Sequence, residues 1–346
     1  MKYSFLLLVL LTLLSSCAKK VSKFYPEIIP RGSKATLALG KDGKHTVNLT
    51  YFGCGNMIIE QDGDAILTDP FFSNQKFSKS FIGKVKTDPV LYELWKGRVQ
   101  QQASRGMVRA GLVSHTHYDH VMDLPTLLQA HYFNRMEAVY GNSHLPQMMV
   151  NFQKEGVPVK EFPAGWVNVT PNIRFLAIKS SHAPQRGKKL YMNKDFDAPY
   201  FKNNLVWPDA KIKTGKWTTG TTYSYLVDFI QGDTLRMFIQ TSTSQYPSGT
   251  PPQDELKQKK VDVAVLCYAS TTNVTNYPKG IVDELKPSKV ILVHWEDLFR
   301  KPKSDDDVLL VRGTNPKKAR KAWDSLGKKK DFFMMPKPGT KIQIVK

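Results

Sequence analysis

The stretch Met107-Val108-Arg109-Ala110-Gly111-Leu112-Val113-Ser114 runs directly into His115-Thr116-His117-Tyr118-Asp119-His120. The first part alternates and ends in small residues, which predicts a buried strand delivering a loop at its C-terminal end. Three imidazoles and a carboxylate then fall within one short loop. Each buried imidazole needs a partner, so packing alone gives no reason to collect so many there. A divalent transition metal satisfies them together, because imidazole nitrogen and carboxylate oxygen are the usual zinc ligands. The competing reading, a solvated His-rich turn, fits poorly with the strand that leads into it.

Spacing bears on the number of ions. His115 and His117 alternate, so in an extended loop they face one way and can hold one ion. Asp119 and His120 are adjacent and turn elsewhere, which suits a second ion nearby, as in two-metal hydrolases. The hexapeptide resembles the H-x-H-x-D-H signature of the metallo-β-lactamase fold superfamily. The closest-looking branch holds lactonases and phospholipase D-like hydrolases, including the enzyme that cleaves N-acyl-phosphatidylethanolamine. Members of that branch also tend to carry Tyr inside the motif, as Tyr118 does here. The resemblance implies a mixed α/β (α+β) fold, a four-layer αββα sandwich. It speaks strongly for the superfamily and weakly for any substrate.

Strand patterns that outnumber helix patterns agree with two packed sheets. The strands expected are 46–52, 57–60, 65–68 after an Asp62-Gly63 turn, 137–140, 173–180, 223–230, 235–241, 261–268 and 290–294. Helices are expected over 124–131, 145–153, 282–286 and 316–326.

His182 and His294 each lie just beyond the end of an expected strand, in Ser180-Ser181-His182-Ala183-Pro184 and Val293-His294-Trp295. The resemblance makes His182 the third ligand beside His115 and His117, and His294 the last ligand beside Asp119 and His120. His144 competes with His182 but opens an expected helix, where a polar residue is unremarkable. His294 has the alternative of a hydrogen-bonded core residue. His45 and His131 read as surface or structural. Asp69, in Thr68-Asp69-Pro70, falls where the superfamily often has Asp-Pro, and metal-bound His commonly donates its free N–H to a carboxylate. A plain strand-ending turn remains open there.

One departure stands out. The superfamily usually bridges its metals with a carboxylate, typically in Gly-Asp-Thr after a hairpin strand. Gly232-Asp233-Thr234 instead lies in the turn before that strand, and Thr241 or Ser242 occupies the expected place. Two dications would then repel with little screening. Either Glu296 or Asp297 substitutes, or the second ion binds weakly, or one metal is held. The expectation is one tight Zn2+ and a second, weaker ion. Three imidazoles leave zinc an open position, and zinc lowers the pKa of its water toward ~7. Asp119 is the catalytic candidate, to accept a proton or to aim the nucleophile at a carbonyl or phosphorus.

Residues 1–16 read as a leader, with Lys2 ahead of an apolar run too short to span a bilayer. Leu14-Ser15-Ser16-Cys17 resembles the lipobox of bacterial lipoproteins, which implies lipidation at Cys17. Residues 17–45 are expected to form a polar tether and 46–346 a single hydrolase domain. An exported lipoprotein held on a membrane, at the periplasmic or outer-membrane face, follows. The formal net charge is +20, which suits an anionic small-molecule or lipid substrate or an anionic membrane surface. Lysines spread along the whole chain without a nucleic-acid motif argue against nucleic acid. A bridge between Cys54 and Cys267 is left open, because spacing cannot place their Cα atoms. The function expected is a lipid-anchored zinc-dependent hydrolase of a phosphodiester or lactone. The alternatives are a β-lactam or amide hydrolase and a non-catalytic metal- or ligand-binding lipoprotein.

Overall fold

The computed structural model describes residues 20–25, 28–29, 34–40, 45–103, 108–153, 156–185, 192–206, 211–301, 308–327 and 332–346. The leader and Cys17 lie outside them.

Alternation of apolar residues sorts the strands into two sheets. Their first members are β1 (Ile28–Ile29), β2 (Lys34–Ala38), β3 (Thr46–Gly53), β4 (Asn56–Gln61) and β5 (Asp64–Thr68). Next come β6 (Lys84–Val85), β7 (Val108–Leu112), β8 (Ala138–Gly141), β9 (Val159–Glu161) and β10 (Trp166–Thr170). The chain continues through β11 (Ile173–Ser180), β12 (Ile212–Lys213), β13 (Thr222–Phe229) and β14 (Leu235–Gln240). It closes with β15 (Val263–Cys267), β16 (Lys289–Val293), β17 (Phe333–Pro336) and β18 (Thr340–Val345).

One eight-stranded sheet has the order β2-β18-β3-β4-β5-β7-β8-β9, the other β1-β17-β16-β15-β14-β13-β11-β10. Strands β6 and β12 make a separate two-stranded ribbon. The hairpin between β4 and β5 turns at Asp62 (φ 48°) and Gly63 (φ 89°). Positive φ at both central residues matches the right-handed twist of the flanking strands. Each large sheet joins an antiparallel part to a parallel run, from β5 through β9 in one and from β14 through β17 in the other.

Leu49, Ile59 and Ile66 of one sheet meet Val227, Ile239 and Ile291 of the other in a continuous apolar layer. Residues of opposite parity, such as Ile58, Leu67, Phe238 and Leu292, join a second cluster with helix residues Trp95, Leu127, Val282 and Trp323. Sheets packed face to face with helices outside give the four-layer sandwich.

The fold starts earlier than a polar tether over 17–45 allows. Val21 and Tyr25 are buried, and β2 pairs in parallel with β18 from Lys34 to Ala38. Helix Pro89–Gln102 has no counterpart in the sequence reading. Asp88 caps it, accepting from the amides of Val90 (3.0 Å) and Leu91 (3.2 Å), and proline occupies its first turn. Its apolar residues do not form one stripe: Trp95 and Val99 are buried, whereas Val90 and Leu94 are exposed. Cys54 and Cys267 are buried free thiols.

Ile291 is fully buried between the sheets, while Val90 is 65% exposed. Ile291→Ala is expected to cost roughly 2–5 kcal/mol in urea unfolding, and Val90→Ala to stay within about 0.5 kcal/mol. Equal effects would contradict this placement of the core.

Candidate metal centre

Every side chain of the motif leaves the end of a strand. β7 delivers His115 and His117, and His117 precedes the short helix Tyr118–Val121 that turns Asp119 and His120 away from them. β11 delivers His182, β16 delivers His294, and β5, parallel to β7, delivers Asp69. Two groups result: His115, His117 and His182 in one, Asp119, His120 and His294 in the other. Within each group the ligand atoms lie within 4.8 Å of one another. The rings of His115 and His120 are 4.0 Å apart, so the groups are neighbours.

The hydrogen-bond network fixes which ring nitrogens carry protons. Ser114 Oγ donates to Asp69 Oδ2 (2.9 Å), so it can only accept from His115 Nδ1 (3.1 Å). Thr219 Oγ1 donates to the Met192 carbonyl (3.3 Å), so it accepts from His117 Nε2 (2.7 Å). His115 Nε2 and His117 Nδ1 are therefore both unprotonated, and they face each other at 3.0 Å. Two lone pairs at that separation repel unless a cation lies between them. His182 Nδ1 donates to the Ala183 carbonyl (2.6 Å), which frees its Nε2. Burial first, and neighbouring imidazoles second, hold His115 and His117 well below the usual histidine range. Burial likewise pushes His182 down to about 4. All three stay neutral near pH 7, the state in which imidazole binds metal.

The second group carries charge. Asp119 Oδ2 lies 3.4 Å from His294 Nε2 and 3.8 Å from His120 Nε2. Burial alone would push its carboxyl up, but His120, His294 and His117 outweigh it and hold it far below the ordinary range. Burial opposes a charge on His120, yet Asp69 and Asp119 prevail and raise its pKa. His120 Nδ1 donates to Asp69 Oδ2 at 2.8 Å, which leaves Nε2 for a ligand. Asp69 also accepts from the Ser114 amide (2.7 Å) and from Thr241 Oγ1 (2.5 Å). Gly55 makes room for it, since a Cβ there would sit 2.4 Å from Asp69 Oδ2. These donor sets, three imidazoles in one group and two with a carboxylate in the other, fit divalent transition metals.

The remaining acids around the centre are committed. Glu296 accepts from Tyr51 and from the Cys54 amide. Asp297 is held by Arg312 Nε (2.9 Å) and the Phe299 amide (3.2 Å). Neither stands in for a bridge. Thr241 is a donor to Asp69, so it does not occupy the bridging place either, and Ser242 remains with a buried hydroxyl that has no hydrogen-bond partner among the described residues. Asp233 stays in the β13–β14 turn, paired with Lys346 (3.1 Å). His144 stacks on Phe196 (4.5 Å) and contacts Thr218, outside both groups. His45, expected at the surface or in a structural role, is buried between Gln61 and the Asp233 carbonyl.

Sequence reasoning did not find Thr219, Ser114 or Asp123. The first two fix tautomers from positions without spacing signals. Asp123 accepts from the amides of Phe72 (2.7 Å) and Ser73 (2.9 Å) and from Thr87 Oγ1 (2.8 Å), bracing the loop that follows Asp69. Its burial pushes the carboxyl up to about 6.

The two-sheet sandwich with paired His and Asp groups at its strand ends is a metallo-β-lactamase fold. No protein-family profile and no curated protein matches the chain. Among solved structures, the metallo-β-lactamase fold protein YhfI of Bacillus subtilis is similar over 85% of this chain and 98% of its own. The two are 13% identical, with a TM-score of 0.50. The metallo hydrolase Igni18 of the archaeon Ignicoccus hospitalis aligns over 86% of this chain and 98% of its own (15% identity, TM-score 0.48). CmlA, a diiron β-hydroxylase of Streptomyces venezuelae, aligns over 88% of this chain and 55% of its own (12% identity, TM-score 0.48).

Alanine at His115, His117 or His182 is expected to abolish tight metal retention through dialysis, read by elemental analysis. His131→Ala and His144→Ala should leave it intact. Metal lost from His144→Ala but kept by His182→Ala would reverse the assignment. Thr241→Asp would set a second carboxylate against Asp69. It is expected to lower thermal stability and metal content rather than restore a bridge, and a gain in bound metal would contradict that reading.

Proposed function

We propose that the protein is a zinc-dependent hydrolase, exported and anchored by lipid at Cys17, that cleaves a phosphodiester or a lactone. The observation that carries the metal chemistry is the meeting of two unprotonated imidazole nitrogens, His115 Nε2 and His117 Nδ1, at 3.0 Å. His115, His117 and His182 would hold one ion and Asp119, His120 and His294 a second, weaker one. Such ions supply a Lewis acid and lower the pKa of water toward neutrality.

The chain's own residues define the rest. Asp119 stays ionised because His120 and His294 flank it. Set beside His294 Nε2 at 3.4 Å and His120 Nε2 at 3.8 Å, its part is to orient a donor and to hold negative charge at the second group. Asp69 keeps His120 in one tautomer through the 2.8 Å hydrogen bond. His115, His117 and His120 are almost wholly buried, which strengthens every electrostatic contact made there. The net charge of +20 favours an anionic substrate, and hence the phosphodiester, or an anionic membrane beside the anchor. The lipobox-like Leu14–Cys17 supports the anchor.

The test joins elemental analysis to turnover on a generic phosphodiester, a lactone and a β-lactam. Zinc with phosphodiester or lactone cleavage is the expected outcome, and Asp119→Asn should lower kcat by roughly 10²–10³-fold. Cleavage of the β-lactam alone would make the protein an amide hydrolase. Bound zinc without turnover would make it a metal-binding lipoprotein, and iron in place of zinc would correct the ion. Cys17→Ser should release the protein from membranes; an unmodified N-terminus elsewhere by mass spectrometry would overturn the anchor.

A further inference from the structure

Four of the five clustered histidines are fixed through the ring. His115 is held by Ser114, His117 by Thr219, His120 by Asp69 and His182 by the Ala183 carbonyl. His294 is the exception. Its Nδ1 is buried without a hydrogen-bond partner among the described residues, so nothing on the far side of the ring orients it. Its backbone is gripped instead. His294 has a φ of 55°, in the left-handed region, a costly conformation for a residue with a Cβ. Its amide donates to both Tyr51 Oη (3.0 Å) and the Cys54 carbonyl (3.0 Å).

Tyr51 is wholly buried. Burial first, and Glu296 second, keep its phenol protonated. It therefore accepts from His294 and donates to Glu296 Oε2 at 2.5 Å. Glu296 Oε1 accepts from the amide of Cys54, itself at φ 50°. The circuit runs from the end of β3 in one sheet to the turn after β16 in the other. It sets the angle at which His294 leaves its strand.

We infer that Tyr51 and Glu296 are positioning residues for the second metal group, holding the backbone of His294 so that its imidazole meets Asp119 and His120. This rests on the reading that those three residues hold an ion. The first group contains no residue of this circuit. Loss of the circuit therefore weakens the second ion and leaves the first in place, whereas general loosening of the fold weakens both.

The probe is zinc alone, titrated into metal-free protein against a chromophoric chelator, with cobalt absorption as a second signal and circular dichroism for folding. The unmodified protein should take up two ions of unequal affinity. Tyr51→Phe keeps the ring and removes the hydroxyl; it should weaken the second ion at least tenfold and change the first less than twofold. Glu296→Gln keeps an acceptor for Cys54 and should fall between. Tyr25→Phe is the control, since that hydroxyl bonds Tyr268, and should change neither ion. Second-ion affinity unchanged in both Tyr51→Phe and Glu296→Gln, or weakened equally with the first, overturns the inference. So does uptake of one ion that His117→Ala abolishes and His294→Ala spares. No uptake by the unmodified protein overturns the metal reading itself.

Discussion

The constraint on which the centre depends is that several imidazoles must be buried together without protons on the nitrogens that face each other. In water each would keep its own shell of donors. Inside the protein that shell is gone, and facing lone pairs at 3.0 Å are unfavourable by themselves. The chain meets this in four of the five rings by giving the outward nitrogen an acceptor: Ser114 Oγ, Thr219 Oγ1, Asp69 Oδ2 and the Ala183 carbonyl. Those acceptors pin the tautomers, and the pinned tautomers point the bare nitrogens inward. Further cost appears in the backbone, where Cys54, Asp69 and His294 all have positive φ. Non-glycine residues hold such conformations only where the surrounding structure over-determines them. Here two rigid sheets do so.

Both groups are completed across the sandwich. The sheet containing β5 and β7 supplies Asp69, His115, His117, Asp119 and His120, while the other supplies His182 after β11 and His294 after β16. An ion in either group would tie one sheet to the other. Its binding energy would then add to the stability of the folded state, because the unfolded chain offers no preformed group. The hydrogen bond from Thr241, after β14, to Asp69, after β5, makes the same crossing without metal.

The centre was more legible in the sequence than the fold around it. His115, His117, Asp119, His120, His182, His294 and Asp69 all follow strands whose apolar or alternating patterns end just before them, so their place at strand ends could be read directly. The hydroxyls of Ser114 and Thr219 and the phenol of Tyr51 could not, because their partners are 45, 102 and 245 residues away and only the folded sheets bring them together. Edge elements failed for a different reason. β2 is mostly exposed and β1 only two residues long, so neither carries an alternating signal strong enough to separate it from a tether. Helix Pro89–Gln102 was missed although it carries a cap and an N-terminal proline, because apolar residues on both its buried and exposed sides blur the 3.6-residue period.

The position of every nearby acid bears on how two ions would share the site. Repulsion grows with the product of the charges, so two dications repel four times as strongly as two unit charges at the same spacing. Asp119 sits in only one group. Asp69 already accepts from His120, Ser114 and Thr241; Glu296 is closed off by Tyr51 and Cys54, and Asp297 by Arg312. Moving any of them inward would strip a buried donor of its partner, at about 1–3 kcal/mol each. The three-imidazole group therefore has neutral ligands throughout, while the other gains its one carboxylate. The asymmetry follows from hydrogen bonds made for other purposes: Asp69 and Glu296, two of the acids that could have bridged, are engaged in holding ligands in place, and Asp297 is tied to Arg312.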